Sequence, residues 1–111
     1  MSLVINTTSG EQGLLVRVTG EVDVSNAPEL REALDAAITK LADGDVRRLE
    51  VDLSEVPYID STGIGVLVGT VPRADEHGIA VVVARPQRNV ARVLKLLGLS
   101  EELGVTDEQD Q

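Results

Sequence analysis

The chain has 111 residues and a formal net charge of −9, from 10 Lys and Arg against 19 Asp and Glu. It contains no cysteine and one histidine, which excludes disulfides, thiol catalysis and metal sites built from thiolates or a histidine cluster. A chain of this length is expected to be one domain. Its negative charge is expected to repel nucleic acid and anionic lipid. The first residues lack a basic region and a long apolar run, so we expect no membrane span and a cytoplasmic location.

The first half of the chain predicts a strand followed by a long helix. Residues 7–10 are typical of a turn, and the alternation at residues 14–18 predicts a strand that ends at Gly20. Asn26 and Glu29 have the spacing of a capping box at the start of a helix. The apolar face of that helix consists of Leu30, Ala33, Leu34, Ala37, Ile38 and Leu41.

A second strand and a second helix follow. Residues 46–53 predict a strand on which Asp52 is exposed. The helix that begins at Ser61 is expected to end or bend at Pro72, which lacks the N–H that the helix needs. The continuous apolar run at residues 79–84 is typical of a central strand.

A third helix completes the pattern, and Gly98 is expected to end it. Its predicted apolar positions are Val90, Val93, Leu94 and Leu97. The basic residues on another face, which we interpret as solvated, are Arg88, Arg92 and Lys95. Residues 103–105 predict a last short strand, and residues 106–111 an acidic, frayed tail.

This alternation predicts a single α/β domain over residues 1–111, with its core at about residues 3–105. We expect a mixed β-sheet of four to five strands with helices packed mainly on one face.

Residues 59–69 carry the most informative motif, and four chemical interpretations of it compete. Gly63 and Gly65 open a helix after a strand, as in a dinucleotide fingerprint. The third glycine is displaced to Gly69, however, and no acidic residue follows about twenty positions on. A nucleophile elbow around Ser61 needs a glycine where this chain has Ile59.

Two further interpretations use carboxylates. A catalytic triad of Ser61, His77 and Asp60 is disfavoured, because His77 lies about four helical turns further along the chain. A receiver domain with Asp52 as phosphoacceptor needs an acidic pair after the first strand and a lysine near the last, and the two lysines of this chain, Lys40 and Lys95, are not at strand ends.

The remaining interpretation makes Ser61 a phosphoacceptor, and here a resemblance to a known family enters. The segments that carry it are Gly20-Glu21-Val22-Asp23, Asp52-Leu53-Ser54 and Ile59-Asp60-Ser61-Thr62-Gly63-Ile64-Gly65. They resemble the signature of STAS domains, and most closely that of the bacterial anti-anti-sigma factors, or anti-sigma factor antagonists. The resemblance extends from about residue 3 to residue 105.

The resemblance implies a partner-switching protein. In that family the unphosphorylated form binds an anti-sigma factor, which is a serine kinase, and thereby frees a sigma factor. The kinase phosphorylates the serine that follows the motif's Asp, here Ser61, and a metal-dependent serine phosphatase removes the phosphate. Such a protein is a substrate and a binding module, not an enzyme, and we expect a monomer without a cofactor.

The candidate partner-binding residues are Asp23, Tyr58, Asp60, Ser61, Thr62, Gly63 and Gly65. We expect the amides of Gly63 and Ile64 to help hold the phosphate. Gly63 is interpreted as bare backbone for the kinase to approach and Gly69 as a packing residue, while Gly65 fits either role. Asp23 is expected to lie beside the phosphosite, or to cap or orient the turn formed by Ser25 and Asn26.

The main alternative is a non-enzymatic STAS scaffold, a subunit of a larger stress-signalling or transporter assembly. The chain departs from the family pattern at Pro72 and in lacking an amphipathic fourth helix after residue 100.

Overall fold

The computed structural model describes residues 2–107. Within that range the elements are β1 (Val4–Gly10), β2 (Gly13–Thr19), α1 (Ala27–Ala42), β3 (Arg48–Glu55), α2 (Ser61–Asp75), β4 (Ala80–Ala84) and α3 (Arg88–Leu96). The predicted α/β class is confirmed.

The strands form one mixed sheet of four strands, as the sequence predicts, and the structure gives their order as β1-β2-β3-β4. β1 is antiparallel to β2, and β2, β3 and β4 are parallel to one another. Because parallel strands end at the same edge of a sheet, the loops that follow β2 and β3 are brought together there.

The predicted turn at residues 7–10 is wrong. Thr7 pairs with Val16 and Thr8 with Leu15, so this segment belongs to β1 and the chain reverses at residues 11–12. β1 is an edge strand with mostly exposed residues, and an edge strand accommodates the polar side chains that resemble a turn in the sequence.

α1 and α2 build the core on one face of the sheet. α1 packs against α2 and against β1, β2 and β3, while α2 also packs against β4. Val16 and Val51 are neighbours in register and are fully buried. The predicted apolar face of α1 is buried except for Ala33, which is half-buried.

α2 continues past Pro72 to Asp75, so of the two expectations for Pro72 an end of the helix is wrong, while a bend stays a prediction. Pro72 lies in the last turn, where its missing N–H removes one bond near the end of the ladder. Arg73 stabilises this turn, because it donates to the Gly69 carbonyl at 2.8 Å and to the Asp35 carboxylate of α1 at 2.8 Å.

β4 is an outer strand, not the central strand that its apolar run predicted. The C-terminal segment covers its free edge: Thr106 donates to the Val83 carbonyl at 3.0 Å, and Val83 donates to that of Leu103 at 2.9 Å. The predicted strand at residues 103–105 is replaced by an isolated bridge between Ala84 and Thr106. Thr106 is therefore held on the sheet and does not begin a frayed tail, while residues 108–111 lie outside the described residues.

α3 ends as predicted, with Gly98 at a φ of +73° and the Leu99 amide donating to Leu94 at 2.9 Å. Its contact face differs from the prediction, since the buried positions are Val90, Ala91 and Leu94. Val93 and Leu97, which were expected to be apolar core positions, are exposed. The small side chain of Ala91 is part of the buried face, and Val93 and Leu97 are therefore left facing solvent.

Candidate functional site

The loops after β2 and β3 are joined by backbone hydrogen bonds. Val22 donates to the carbonyl of Tyr58 at 2.9 Å, and Asp60 donates to the carbonyl of Val22 at 3.0 Å. Val22 and Ile59 form an isolated parallel bridge. The segment that carries Asp23 is thereby fixed next to the start of α2.

Asp60 is the N-cap of α2. Its Oδ1 accepts a hydrogen bond from the amide of Gly63 at 3.0 Å, and its carbonyl accepts one from the amide of Ile64 at 2.9 Å. The expectation that these two amides help to hold a phosphate is therefore corrected, because Asp60 already occupies both. The amides of Ser61 and Thr62 have no acceptor within the part of the chain that the structure describes.

The first turn of α2 presents a small exposed surface. Ser61, Thr62 and Gly65 are all exposed, and Tyr58 is half exposed just before them. The hydroxyl of Ser61 stands at the first helical position, where a fixed backbone holds it towards solvent. A macromolecular partner can reach this hydroxyl without any rearrangement of the fold.

Two glycines of α2, Gly63 and Gly69, have different roles from those expected, and Gly65 is not required for packing. A Cβ on Gly63 would lie 2.6 Å from Cγ1 of Val22 and 2.7 Å from Cγ1 of Ile59, so Gly63 lets the helix approach the two loops. A Cβ on Gly65 would meet nothing within 4 Å. A Cβ on Gly69 would meet Nη1 of Arg73 at 3.4 Å, so close packing against the sheet does not require this glycine.

Asp23 orients the turn that leads into α1. Its carboxylate accepts hydrogen bonds from the amide and the hydroxyl of Ser25, at 3.0 and 2.6 Å. These two bonds lower the pKa of Asp23. Asn26 makes no side-chain cap and instead accepts from the Asp23 amide at 2.9 Å, so the predicted capping box with Glu29 is absent.

Sequence reasoning missed Val24, which has an exposed fraction of 71% beside Asp23. The only signal was an apolar residue inside a polar loop, and such single residues are common on protein surfaces. The structure brings this side chain to the same end of the sheet as Tyr58 and Ser61.

The prediction that Asp52 is exposed is wrong. Its side chain is fully buried, and Oδ2 lies 3.2 Å from both Arg17 and Arg85, while the Ser54 amide donates to Oδ1 at 2.9 Å. Burial acts to raise the pKa of Asp52, but the hydrogen bonds from Ser54, Arg85 and Arg17 outweigh it and hold the pKa below its ordinary value. A carboxylate enclosed in this way is unsuited to the phosphoacceptor role of a receiver domain.

A triad of Ser61, His77 and Asp60 is not assembled. Ser61 begins α2 and His77 follows its end, which separates them by about 20 Å or more at the rise of a helix. Asp60 is engaged in capping the helix. These residues therefore supply no general base to Ser61.

Comparison with known proteins identifies the family. The family model of the STAS domain matches residues 3–110. The anti-sigma-B factor antagonist of Staphylococcus aureus (strain NCTC 8325 / PS 47) is 32% identical over 107 residues, which cover 96% of this chain and 95% of the relative. The chain therefore belongs to the STAS domain family.

Solved structures agree on the fold. An anti-sigma factor antagonist from Mycobacterium paratuberculosis superposes with a TM-score of 0.77 at 27% identity, covering 97% of this chain and 88% of the other. The anti-sigma factor antagonist SpoIIAA in its unphosphorylated form gives a TM-score of 0.77 at 18% identity, covering 96% of this chain and 90% of the other. Within residues 2–107, none of the helices has the length and apolar character needed to cross a membrane.

Proposed function

We propose that the unphosphorylated chain binds an anti-sigma factor that is a serine kinase, and that phosphorylation of Ser61 ends this binding. The role of anti-sigma factor antagonist follows from the family and from relatives that match over nearly their whole length. The kinase, the release of a sigma factor and a serine phosphatase that restores Ser61 are parts of the proposal.

The observation that carries the proposal is the placement of Ser61. It is exposed at the first position of a helix whose start is fixed by Asp60 and by the joined loops. A kinase needs a hydroxyl that it can enclose, and a binding partner needs a surface of constant shape. The first turn of α2 offers both.

Phosphorylation is expected to act at the surface and to leave the fold intact. A phosphate adds about −1.5 to −2 charges at pH 7. The amide of Gly63 is bonded to the carboxylate of Asp60 and that of Ile64 to its backbone carbonyl, so a phosphate on Ser61 would compete with acceptors already in place. Its bulk and charge would then face a bound partner, where like charges are costly.

The chain acts in this proposal as a substrate and a binding module, not as an enzyme. Ser61 has no histidine within reach, because His77 lies beyond the far end of α2. We propose that Asp23, Tyr58, Thr62 and Gly65 contact the partner around Ser61. Gly63, which is buried, would contribute through the backbone position that it allows.

The test is a pull-down from the native lysate with wild type, Ser61→Asp and Thr39→Asp as baits, read by mass spectrometry. Thr39 is an exposed hydroxyl residue towards the far end of α1 and controls for added charge alone. We expect wild type and Thr39→Asp to capture one ATPase-fold serine kinase that Ser61→Asp does not. Capture of the same non-kinase assembly by all three baits would favour a STAS scaffold and contradict the switch.

A further inference from the structure

We infer that the exposed face of α3 is a second docking surface for the anti-sigma factor, and that it binds a segment carrying carboxylates beside apolar side chains. This inference rests on the proposed function and extends its partner surface beyond the first turn of α2. The exposed basic and apolar side chains of this face are Arg88, Arg92, Val93, Lys95, Leu96 and Leu97.

The cations of α3 differ from every other basic side chain in the chain. The ten Lys and Arg residues all lie within residues 2–107. Those outside α3 make a side-chain hydrogen bond or an ion pair, and they are Arg17, Arg31, Lys40, Arg47, Arg48, Arg73 and Arg85. Within the described residues, the three on α3 make neither.

This absence of partners is notable in a chain with 19 acidic residues. Exposed cations are stable in water without a carboxylate partner, so these three remain available to the carboxylates of a binding partner. Here three unpaired cations stand on one short helix. Such a patch is complementary to an acidic partner and steers its approach.

Apolar side chains are exposed next to these cations. Leu96 has an exposed fraction of 78%, Leu97 of 57% and Val93 of 39%. Their spacing places them on neighbouring positions along one side of the helix. Exposed apolar residues that are clustered and bordered by charge are typical of protein contact sites.

The start of α3 is hydrogen-bonded to the segment that leads to Ser61. Asn89 donates to the carbonyl of Pro57 at 2.8 Å, and Gln87 donates to that of Ser54 at 2.9 Å. Pro57 directly precedes Tyr58. A partner seated on the first turn of α2 therefore meets the start of α3 at the edge of its contact area.

The size of an interface supports this extension. A stable protein interface takes about 800 Å² and roughly 20–30 residues from each partner. The residues proposed to contact the partner around Ser61 are fewer than that, namely Asp23, Tyr58, Ser61, Thr62 and Gly65. The α3 face is an adjacent exposed surface that carries both apolar side chains and cations without an ion-pair partner among the described residues.

A protein partner fits this face better than a membrane does. The net charge of −9 repels anionic lipid, and α3 has 9 residues. At that length the helix is about 13 Å long and buries too little apolar surface to hold a lipid bilayer.

The experiment uses the anti-sigma factor captured by the wild-type bait, purified and immobilised for binding kinetics. Arg92→Glu tests the charge and Leu96→Ser tests the apolar contact. Lys40→Glu and Val46→Ser are the matched controls, at the opposite end of the sheet. Ser61→Asp reports on the phosphosite. Circular dichroism melts verify that each variant is folded, which we expect because the residues changed on α3 are exposed.

We expect Arg92→Glu to slow association about tenfold at low salt, with the difference shrinking at high salt. Leu96→Ser is expected to weaken affinity about fivefold to tenfold through faster dissociation, and both controls are expected to stay within about twofold of wild type. If both α3 variants bind like their controls while Ser61→Asp does not bind, the inference is overturned and the proposed function stands. If Ser61→Asp binds as wild type does, the proposed function fails and the inference fails with it.

Discussion

The backbone amide of Asp60 donates a hydrogen bond of 3.0 Å to the carbonyl oxygen of Val22. This bond joins the loop that follows β2 to the residue that caps α2. Val22 is fully buried and would contact any Cβ placed on Gly63. The position of the Ser61 hydroxyl therefore depends on the buried residues Val22 and Gly63.

Gly63→Ala is expected to destabilise the fold, and Gly65→Ala to stabilise it. A methyl group on Gly63 would lie 2.6 Å from Cγ1 of Val22, so the helix must shift. We expect this shift to lower the free energy of unfolding by about 1–3 kcal/mol. A methyl group on Gly65 meets nothing within 4 Å and gains about 1 kcal/mol of helix propensity. Urea unfolding of both variants measures the change in the free energy of unfolding that each causes. Changes of equal size and the same sign would contradict this packing.

Asp60→Ala is expected to lower the free energy of unfolding by about 1 kcal/mol through loss of the N-cap. Asp60→Asn is the matched control, because its amide oxygen can accept the same bond from Gly63. Denaturant unfolding should place Asp60→Asn near wild type. If both variants lose the same stability, the carboxylate acts through its charge and not as a cap.

Asp52→Asn is expected to be destabilising at neutral pH by about 1–3 kcal/mol, because Arg17 and Arg85 lose a buried charged acceptor. The difference in the free energy of unfolding between wild type and Asp52→Asn should become smaller at acidic pH. The folded pKa of Asp52 lies below its ordinary value of 3.8, so its stabilisation is complete above that pH and is lost as the pH falls through the folded value.

Urea midpoints of wild type and Asp52→Asn, measured from pH 7 downward, test this linkage. The two curves should run parallel above about pH 5 and converge below about pH 4. A constant gap through the acid range would show that Asp52 stabilises the fold by its shape and not by its ionisation.

Leu103→Ala is expected to lower the free energy of unfolding by about 2–5 kcal/mol, because Leu103 is fully buried where the C-terminal segment covers β4. Leu96→Ala, on the exposed face of α3, is the matched control and should change stability by less than about 0.5 kcal/mol. Thermal unfolding of both variants measures the contrast. Equal stabilities would mean that the C-terminal segment does not belong to the core.

Local periodicity explains what the sequence could predict. The apolar face of α1 and the alternation in β2 depend on neighbours along the chain, and both were predicted correctly. The start of α2 at Ser61 followed from the motif itself. These features require no knowledge of distant residues.

Features that depend on distant residues could not be predicted. Asp52 is buried because Arg85 arrives from 33 positions further on. The outer strand β4 carries a core-like sequence because residues 103–106 cover its edge. At the candidate site, Gly63 is required by Val22, which lies in another loop.

The most direct test of the account is the affinity of the purified anti-sigma factor for the chain before and after phosphorylation of Ser61. We expect the phosphorylated form to bind at least about a hundredfold more weakly, with unchanged circular dichroism, and phosphatase treatment to restore binding. Equal affinities for the two forms would contradict a switch at Ser61.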